Sequence, residues 1–255
     1  MDFLANKNKH TRDNYITFDE GPHIYTVHGD SSYTSVTTFI HSNFSHFDAE
    51  TIANKILNGK KWKEDKNYKY YQKSKEEILD MWKDNSAAEA GTKLHYDIEC
   101  YYNNCPNENN SIEYQYFKNF VKDYPDLKPY RTEWMVYYME YKLSGSIDMV
   151  FQNKDGDLEI YDWKRTNEFK YEDTYNNKCS TTPCLSHIPD ASFWHYSLQL
   201  NMYKTILEHR YDKKVVGLYL VRLHPDDVYK NYERVEVPFL DKEINDLLEY
   251  RKTQL

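Results

Sequence analysis

Two acidic residues and a lysine stand in a segment that has the pattern of a β-hairpin. Asp148 and Asp162 belong to two stretches rich in β-branched and aromatic residues, and residues 154–156 between them read Lys-Asp-Gly. If these three residues form a loop with the glycine in the left-handed conformation, the pairing places Asp148 opposite Asp162. Directly opposed residues lie about 5 Å apart at Cβ and share a face, so the two carboxylates come together. Lys164 lies on that face too, because side chains alternate along a strand with a period of two.

This arrangement predicts a divalent metal site. Opposed carboxylates repel each other unless a cation neutralises them, and hard oxygen donors suit Mg²⁺ or Mn²⁺. A divalent cation beside an ammonium group suits phosphodiester hydrolysis: the cation activates water and polarises the phosphate, and the lysine stabilises the developing negative charge or orients the water. The alternative is an exposed hairpin whose charged residues are only solvated, because strand registers can slip by one residue.

Two further clusters have helical spacing. His95 and Glu99 are four residues apart and would share one face of a helix, and Gln199 and Tyr203 have the same spacing farther along the chain. The first pair could complete the metal site. Each cluster also has an ordinary explanation, because a His/Glu pair on a helix surface often forms only a hydrogen bond, and the second pair could serve packing and solvent contacts.

Together, these clusters and their order resemble the RecB-like branch of the PD-(D/E)XK nucleases. That family shows G-x-x-x-H with a following Glu on a helix, G-x-x-D on a strand, D-x-K on the next strand and Q-x-x-x-Y on a later helix. The corresponding residues here are Gly91/His95/Glu99, Gly145/Asp148, Asp162/Lys164 and Gln199/Tyr203. The resemblance covers about residues 87–210, and it extends to stand-alone nucleases of phages and large DNA viruses.

The resemblance implies roles for individual residues. The metal ligands would be His95, Asp148, Asp162 and the backbone carbonyl of Trp163. Lys164 would act on the attacked phosphate, and Glu99 would join a second metal. Gln199 and Tyr203 would position the DNA backbone or brace the catalytic strand. Glu133, on the preceding strand, stands where relatives often carry a supporting acid.

The four cysteines form two C-x4-C pairs, Cys100/Cys105 and Cys179/Cys184. Such pairs could hold a structural Zn²⁺ if the fold brought them together, but zinc sites usually have tighter spacing in at least one pair. Isolated reduced thiols are the favoured interpretation. Some RecB-like nucleases hold an iron–sulphur cluster with one cysteine before the first motif and three after the last. Here the cysteines lie between motifs, so no such cluster is expected.

The charge distribution limits where DNA could bind. The formal net charge is -8, which argues against a chain that coats nucleic acid with its whole surface. Residues 60–75 carry seven lysines interleaved with aromatic residues, so ammonium groups could meet phosphates while rings stack on bases. The candidate contacts are Lys60, Lys61, Lys63 and Tyr70. The alternative is a solvated helix or loop whose tyrosines pack against the body of the protein.

The sequence patterns predict an α/β fold. Helices are expected over 48–59, from a capping box at Ser74 and Glu77, over 86–102, 112–123 and 196–209, and after a cap at Asp241. Strands are expected in an opening β element over 23–27, and then over 133–141, 143–151, 158–164, 215–223 and 235–239. The resemblance assigns residues 86–255 to a PD-(D/E)XK restriction-endonuclease-like core, αβββαβ, with a central mixed sheet flanked by helices. Residues 1–85 would form an N-terminal, mostly helical extension that opens with a β-hairpin and could guide DNA, within one compact unit.

The resulting hypothesis is a Mg²⁺-dependent DNA nuclease, with Mn²⁺ as an alternative metal. We expect an exonuclease that trims single strands or ends in repair, recombination or genome processing. A structure-specific or nicking endonuclease is the nearest alternative, and a catalytically silent nuclease fold that binds DNA is another. With 40% hydrophobic residues, no apolar run long enough to cross a bilayer and no signal-peptide pattern at the start, an intracellular protein that does not enter membranes is expected.

Overall fold

The computed structural model describes residues 1–83, 85–173 and 177–255. The helices described there are α1 (Phe3–Lys7), α2 (Val36–His41), α3 (Ala49–Asn58), α4 (Lys60–Glu64), α5 (Lys75–Lys83), α6 (Ser86–Tyr102), α7 (Ile112–Asp123), α8 (Ser192–Arg210) and α9 (Asp241–Lys252). The strands are β1 (Ile16–Asp19), β2 (Ile24–Val27), β3 (Thr34–Ser35), β4 (Lys128–Tyr138), β5 (Leu143–Gln152), β6 (Leu158–Lys164), β7 (Val215–Arg222) and β8 (Glu233–Glu236). None of the helices in these ranges is both long and apolar enough to span a membrane.

Strand β5 organises a six-stranded mixed sheet. The path runs β3-β5-β6-β7-β8, and β4 pairs with β5 as well. Because β4 follows β5 along nearly its whole length, β3 and β6 share the opposite edge of β5. Strand β3 pairs with the first two residues of β5, and β6 pairs with the last four. Residues 145–148 of β5 therefore lie in the opening between β3 and β6.

The predicted hairpin register is confirmed. Strands β5 and β6 pair from Met149 with Tyr161 to Gln152 with Leu158, which is the register that makes Asp148 and Asp162 the next opposed positions. The loop closes with a hydrogen bond from the Asn153 N–H to the Asp157 carbonyl at 2.9 Å. Gly156 has φ +88°, the left-handed conformation that the loop requires and that glycine adopts without a steric penalty.

Each face of the sheet is covered by helices through its own apolar cluster. On one face, Ile160 and Leu218 pack with Leu198 and Ile206 of α8. On the other, Trp163 packs in one cluster with residues of α6 and α7, such as Leu94, Ile98, Phe117 and Phe120. This alternation along β6 places Asp162 on the α8 face and Trp163 on the α6–α7 face. The predicted fold class is confirmed, a mixed α/β fold whose central mixed sheet is flanked by helices.

Several elements begin or end at residues other than those predicted. Strand β4 starts at Lys128 instead of 133 because it pairs with β5 as far as Gln152. Helix α8 starts at Ser192 instead of 196. Strand β8 has four residues, Glu233–Glu236, instead of the predicted 235–239. Strand β1 was not predicted, because it is only four residues long.

The described residues divide into two compact units, a large unit of residues 1–44 and 94–255 and a small unit of residues 45–93. The β1–β2 hairpin and α2 belong to the large unit, together with the sheet. The small unit has its own apolar core around Ala53, Tyr70 and Ile78. Two predicted caps are confirmed there: Asp48 accepts from the Thr51 N–H, and Ser74 and Glu77 form a reciprocal capping box.

Candidate active site

The backbone pairing of β5 and β6 ends at Met149 and Tyr161, and hydrogen bonds that involve side chains take its place beyond that pair. The N–H of Trp163 donates to Oδ2 of Asp148 at 3.1 Å. The carbonyl of Trp163 lies 2.8 Å from Nε2 of His95, and Nδ1 of His95 lies 3.5 Å from Oδ2 of Asp148. Helix α6 thus brings its imidazole to the end of the hairpin, and three of the four predicted ligand groups meet at one point.

The fourth predicted ligand, Asp162, lies beside the lysine. Its side chain is only 4% exposed, and its Oδ2 lies 2.6 Å from Nζ of Lys164. Apart from this ion pair, Oδ2 accepts no hydrogen bond from the described part of the chain. Gln199 of α8 donates to Oδ1 at 3.4 Å. The Asp162 carboxylate is buried, one of its oxygens accepts too few hydrogen bonds, and a second carboxylate lies nearby. Such a group is suited to bind a cation.

Glu133 belongs to the same cluster, although it was predicted only as a supporting acid. Ligand atoms of His95, Glu133 and Asp148 all lie within 4.8 Å of one another. Strand β4 pairs Thr132 with Met149 and Trp134 with Ile147, so Glu133 falls beside Asp148. Its φ is +41°, a conformation that costs energy for any residue with a side chain and that clusters at functional sites.

The acids of the site repel one another in a poorly solvated place. Burial, followed by the charge of Asp148, raises the pKa of Glu133 well above its ordinary value. Burial and Asp148 also raise the pKa of Asp162, against the opposing charge of Lys164. Burial lowers the pKa of Lys164, but Asp162 and Asp148 outweigh burial and hold it above its usual range. The lysine is therefore a permanent ammonium, and the acids favour a further positive charge nearby.

These donors fit a divalent metal. Carboxylate oxygens and a backbone carbonyl are the ligands that Mg²⁺ and Mn²⁺ prefer, and the imidazole of His95 adds a nitrogen donor. The residues that could hold the ion are His95, Glu133, Asp148, Asp162 and Trp163 through its carbonyl. The metal-binding group found among the described residues contains no cysteine, and all four cysteines are free thiols.

Tyr203 braces the strand that carries Asp148. Its ring is buried, and a Cβ built on Gly145 would lie 2.6 Å from the Tyr203 hydroxyl oxygen and 2.9 Å from a ring carbon. The glycine of the G-x-x-D pattern is therefore explained by the tyrosine of the Q-x-x-x-Y pattern, because α8 packs directly on the backbone of β5. Of the two roles considered for Tyr203, this contact supports bracing the strand.

Substituting Gly145→Ala is expected to destabilise the protein by about 1–3 kcal/mol, the usual cost of overpacking a core. The added methyl group would push the buried Tyr203 ring or move β5, and with it Asp148. Urea unfolding followed by circular dichroism measures the change in the free energy of unfolding. Gly21→Ala is the matched control, since a Cβ there meets only a carboxylate oxygen at 3.6 Å. Equal stability of the two variants would contradict the bracing contact.

A cavity of about 240 Å³ opens at Asp148 and Lys164. Sequence reasoning missed several of the residues that line it, among them Tyr25 of β2, His41 of α2 and Tyr196 of α8. Tyr196 also packs against the ammonium of Lys164, which lies 4.6 Å from the ring centre. The spacing of Tyr196, three residues before Gln199 and seven before Tyr203, put it on the same helical face and could have identified it.

The other predicted site residues lie outside this cluster. Glu99 is half-buried on α6 and is not in the metal-binding group, and burial raises its pKa. Lys60, Lys61 and Lys63 are exposed on α4 of the small unit. Tyr70 is only 6% exposed, and its hydroxyl accepts a hydrogen bond from the Trp82 indole at 2.8 Å. This ring belongs to the core of the small unit, and its contact with DNA stays a prediction.

The geometry agrees with a comparison to known protein families. The family model described as the PD-(D/E)XK nuclease superfamily matches residues 38–254, which include the hairpin, α6 and α8. The chain belongs to the PD-(D/E)XK nuclease superfamily. PD-(D/E)XK nucleases generally use divalent metals. The family name contains the pattern D-x-K, and residues 162–164 of this chain read Asp-Trp-Lys. A search of curated proteins finds no match for this PD-(D/E)XK chain.

Two solved structures resemble this PD-(D/E)XK nuclease. The structure of SSO0001 has 12% sequence identity and a TM-score of 0.36, and the match covers 100% of this chain and 85% of that one. A protein of Eubacterium rectale described as "Putative exonuclease" has 10% identity and a TM-score of 0.36, with 87% of this chain and 78% of that one covered.

Proposed function

We propose that this PD-(D/E)XK nuclease is a divalent-metal-dependent deoxyribonuclease of the RecB-like branch. We further propose that it acts as an exonuclease on single strands or DNA ends, in repair, recombination or genome processing of the kind carried out by phage and viral relatives. The observation that carries the proposal is the meeting of Asp148, Asp162 and Lys164: Asp148 and Lys164 line one cavity, and Asp162 pairs with Lys164 at 2.6 Å. A catalytically silent fold would have no need to keep an ion pair and opposed acids there.

The side chains have separate tasks in the proposed reaction. Asp148, Asp162, Glu133, His95 and the Trp163 carbonyl would hold Mg²⁺ or Mn²⁺, which when bound polarises a phosphate and lowers the pKa of water. Lys164 would donate to a phosphate oxygen or to the attacking water, and so stabilise the charge that develops in the transition state. Gln199 orients Asp162, and Tyr203 keeps β5 at its place.

The substrate preference is tested by cleavage of matched single strands. The protein is incubated with a linear DNA, the same sequence as a covalently closed circle, and a linear RNA of the same sequence, with Mg²⁺, with Mn²⁺ or with a chelator. We expect the linear DNA to be shortened from an end, the circle to stay intact, and no cleavage with chelator. Cleaved circles would establish an endonuclease, faster RNA cleavage would overturn the assignment to DNA, and cleavage with chelator would overturn the metal-dependent reaction.

A further inference from the structure

Two apolar side chains project from the loop between β7 and β8. Val228 is 88% exposed and Tyr229 is 87% exposed. Among the other exposed large hydrophobic residues in the described ranges, the highest value is 65%, at Phe47. A surface residue of this kind loses favourable burial, so an aromatic ring held this far into solvent is suited to meet another molecule.

The backbone below these side chains is held by polar contacts. Asp227 is buried, forms an ion pair with Arg222 and accepts the N–H of Tyr229 at 2.7 Å. Arg222 also contacts Glu233 at 2.7 Å, which ties both ends of the loop together. Because the loop is anchored in this way, the exposure of Tyr229 is a property of a fixed loop and the ring would pay little ordering entropy on binding.

This loop starts beside the candidate active site. Strands β6 and β7 are parallel, with Lys164 in register with Arg222, and the Leu223 N–H donates to the Lys164 carbonyl at 2.8 Å. Neighbouring strands lie about 4.8 Å apart, and residues in register project to the same face. The arginine that anchors the loop therefore lies on the face of Lys164, one strand away.

We propose that Tyr229, flanked by Val228, stacks on an unpaired base of the nucleic acid strand whose phosphate lies at Asp148, Asp162 and Lys164. This inference rests on the proposed function and adds a contact outside the metal site. A ring can stack on any base, so the contact suits a nuclease that moves along a strand without reading its sequence. The exposed Lys230 follows Tyr229 and can reach a neighbouring phosphate. A protein partner is the alternative occupant of this exposed apolar tip, but the loop begins one strand from Lys164, at the same end of the sheet, and this favours the nucleic acid.

The test measures binding of a fluorescein-labelled oligodeoxythymidine in Ca²⁺, so that binding is separated from turnover in Mg²⁺. Fluorescence anisotropy gives the Kd of the wild-type protein, Tyr229→Ala, Tyr229→Phe and Val216→Ala. Val216 is the control, since it is an exposed apolar residue at the opposite end of β7. We expect Tyr229→Ala to bind about tenfold more weakly, within the roughly 5- to 150-fold range of losing one stacked base. Tyr229→Phe and Val216→Ala should bind like the wild type.

The dependence of Kd on salt separates stacking from charge. None of these substitutions changes a charge, so the slope of log Kd against log salt concentration should be the same for all four proteins. Equal affinity of Tyr229→Ala and the wild type would overturn the inference, and so would an equal loss in Tyr229→Phe, since phenylalanine keeps the stacking face. If the wild type cleaves the oligonucleotide in Mg²⁺ while Tyr229→Ala binds normally, only this inference fails. If the wild type neither binds nor cleaves, the proposed function fails with it.

Discussion

Substituting Lys164→Met is expected to lower the rate of phosphodiester cleavage by about 100- to 1,000-fold, the usual cost of losing one charge-stabilising donor. Lys164 is a permanent ammonium 2.6 Å from Asp162, with only 19% of its side chain exposed. Methionine is unbranched and one atom shorter than lysine, so it keeps most of the apolar stem but carries no charge. The expected loss falls on kcat measured with saturating linear DNA, because the charge acts mainly in the transition state.

A second buried lysine provides the matched control. Lys204 is 9% exposed at its side chain and pairs with Glu208 and Asp241 at 2.9 and 2.8 Å. Lys204→Met removes a comparable ion pair, which lowers stability, but it leaves the cleavage site untouched. A Lys164→Met protein that is folded and cleaves DNA at the wild-type rate would contradict the role of this lysine, as would an equal loss of kcat in Lys204→Met.

Substituting Asp148→Asn is expected to weaken Mn²⁺ binding by at least roughly 10- to 100-fold. That is the usual loss of affinity when only a residue that hydrogen-bonds a metal ligand is removed. Asparagine keeps an oxygen that can accept the Trp163 N–H, but it removes the charge beside Asp162 and Glu133. Since that charge raises the pKa of both acids, its loss relieves repulsion. The metal-free variant should therefore be as stable as the wild type or more so, while Mn²⁺ should no longer raise its melting temperature.

The control for this substitution lies at the other end of the hairpin. Asp157 pairs with Lys214 at 2.6 Å near the turn, away from the cluster. Isothermal titration calorimetry with Mn²⁺ and thermal unfolding with and without the metal should give wild-type values for Asp157→Asn. A wild-type Mn²⁺ affinity in Asp148→Asn would show that this carboxylate is not a ligand.

The hairpin could be predicted from sequence because its information is local. A glycine in the left-handed conformation at Gly156 fixes the loop length, and the loop length fixes which residues face each other. The helix caps at Asp48 and Ser74 were predictable for the same reason, since each depends on residues within one turn. The order of helices and strands followed from their different hydrophobic periods.

Contacts between distant segments were not predictable in this way. Glu133 joins the cluster because β4 pairs with β5, and the left-handed φ of a glutamate has no signal in the sequence. Tyr25 and His41 reach the cavity from segments more than 100 residues before Asp148. The burial of Tyr70 against Trp82 was not predictable either, because it depends on how the small unit folds.

The central claim is that carboxylates from β4, β5 and β6, together with the His95 imidazole of α6, surround a divalent cation next to Lys164. Anomalous X-ray scattering from crystals grown with Mn²⁺ tests this claim directly. We expect a manganese peak in contact with the Asp148 carboxylate, with Asp162 and the Trp163 carbonyl as further ligands. A well-bound manganese ion at a different place, with no peak among these groups, would contradict it.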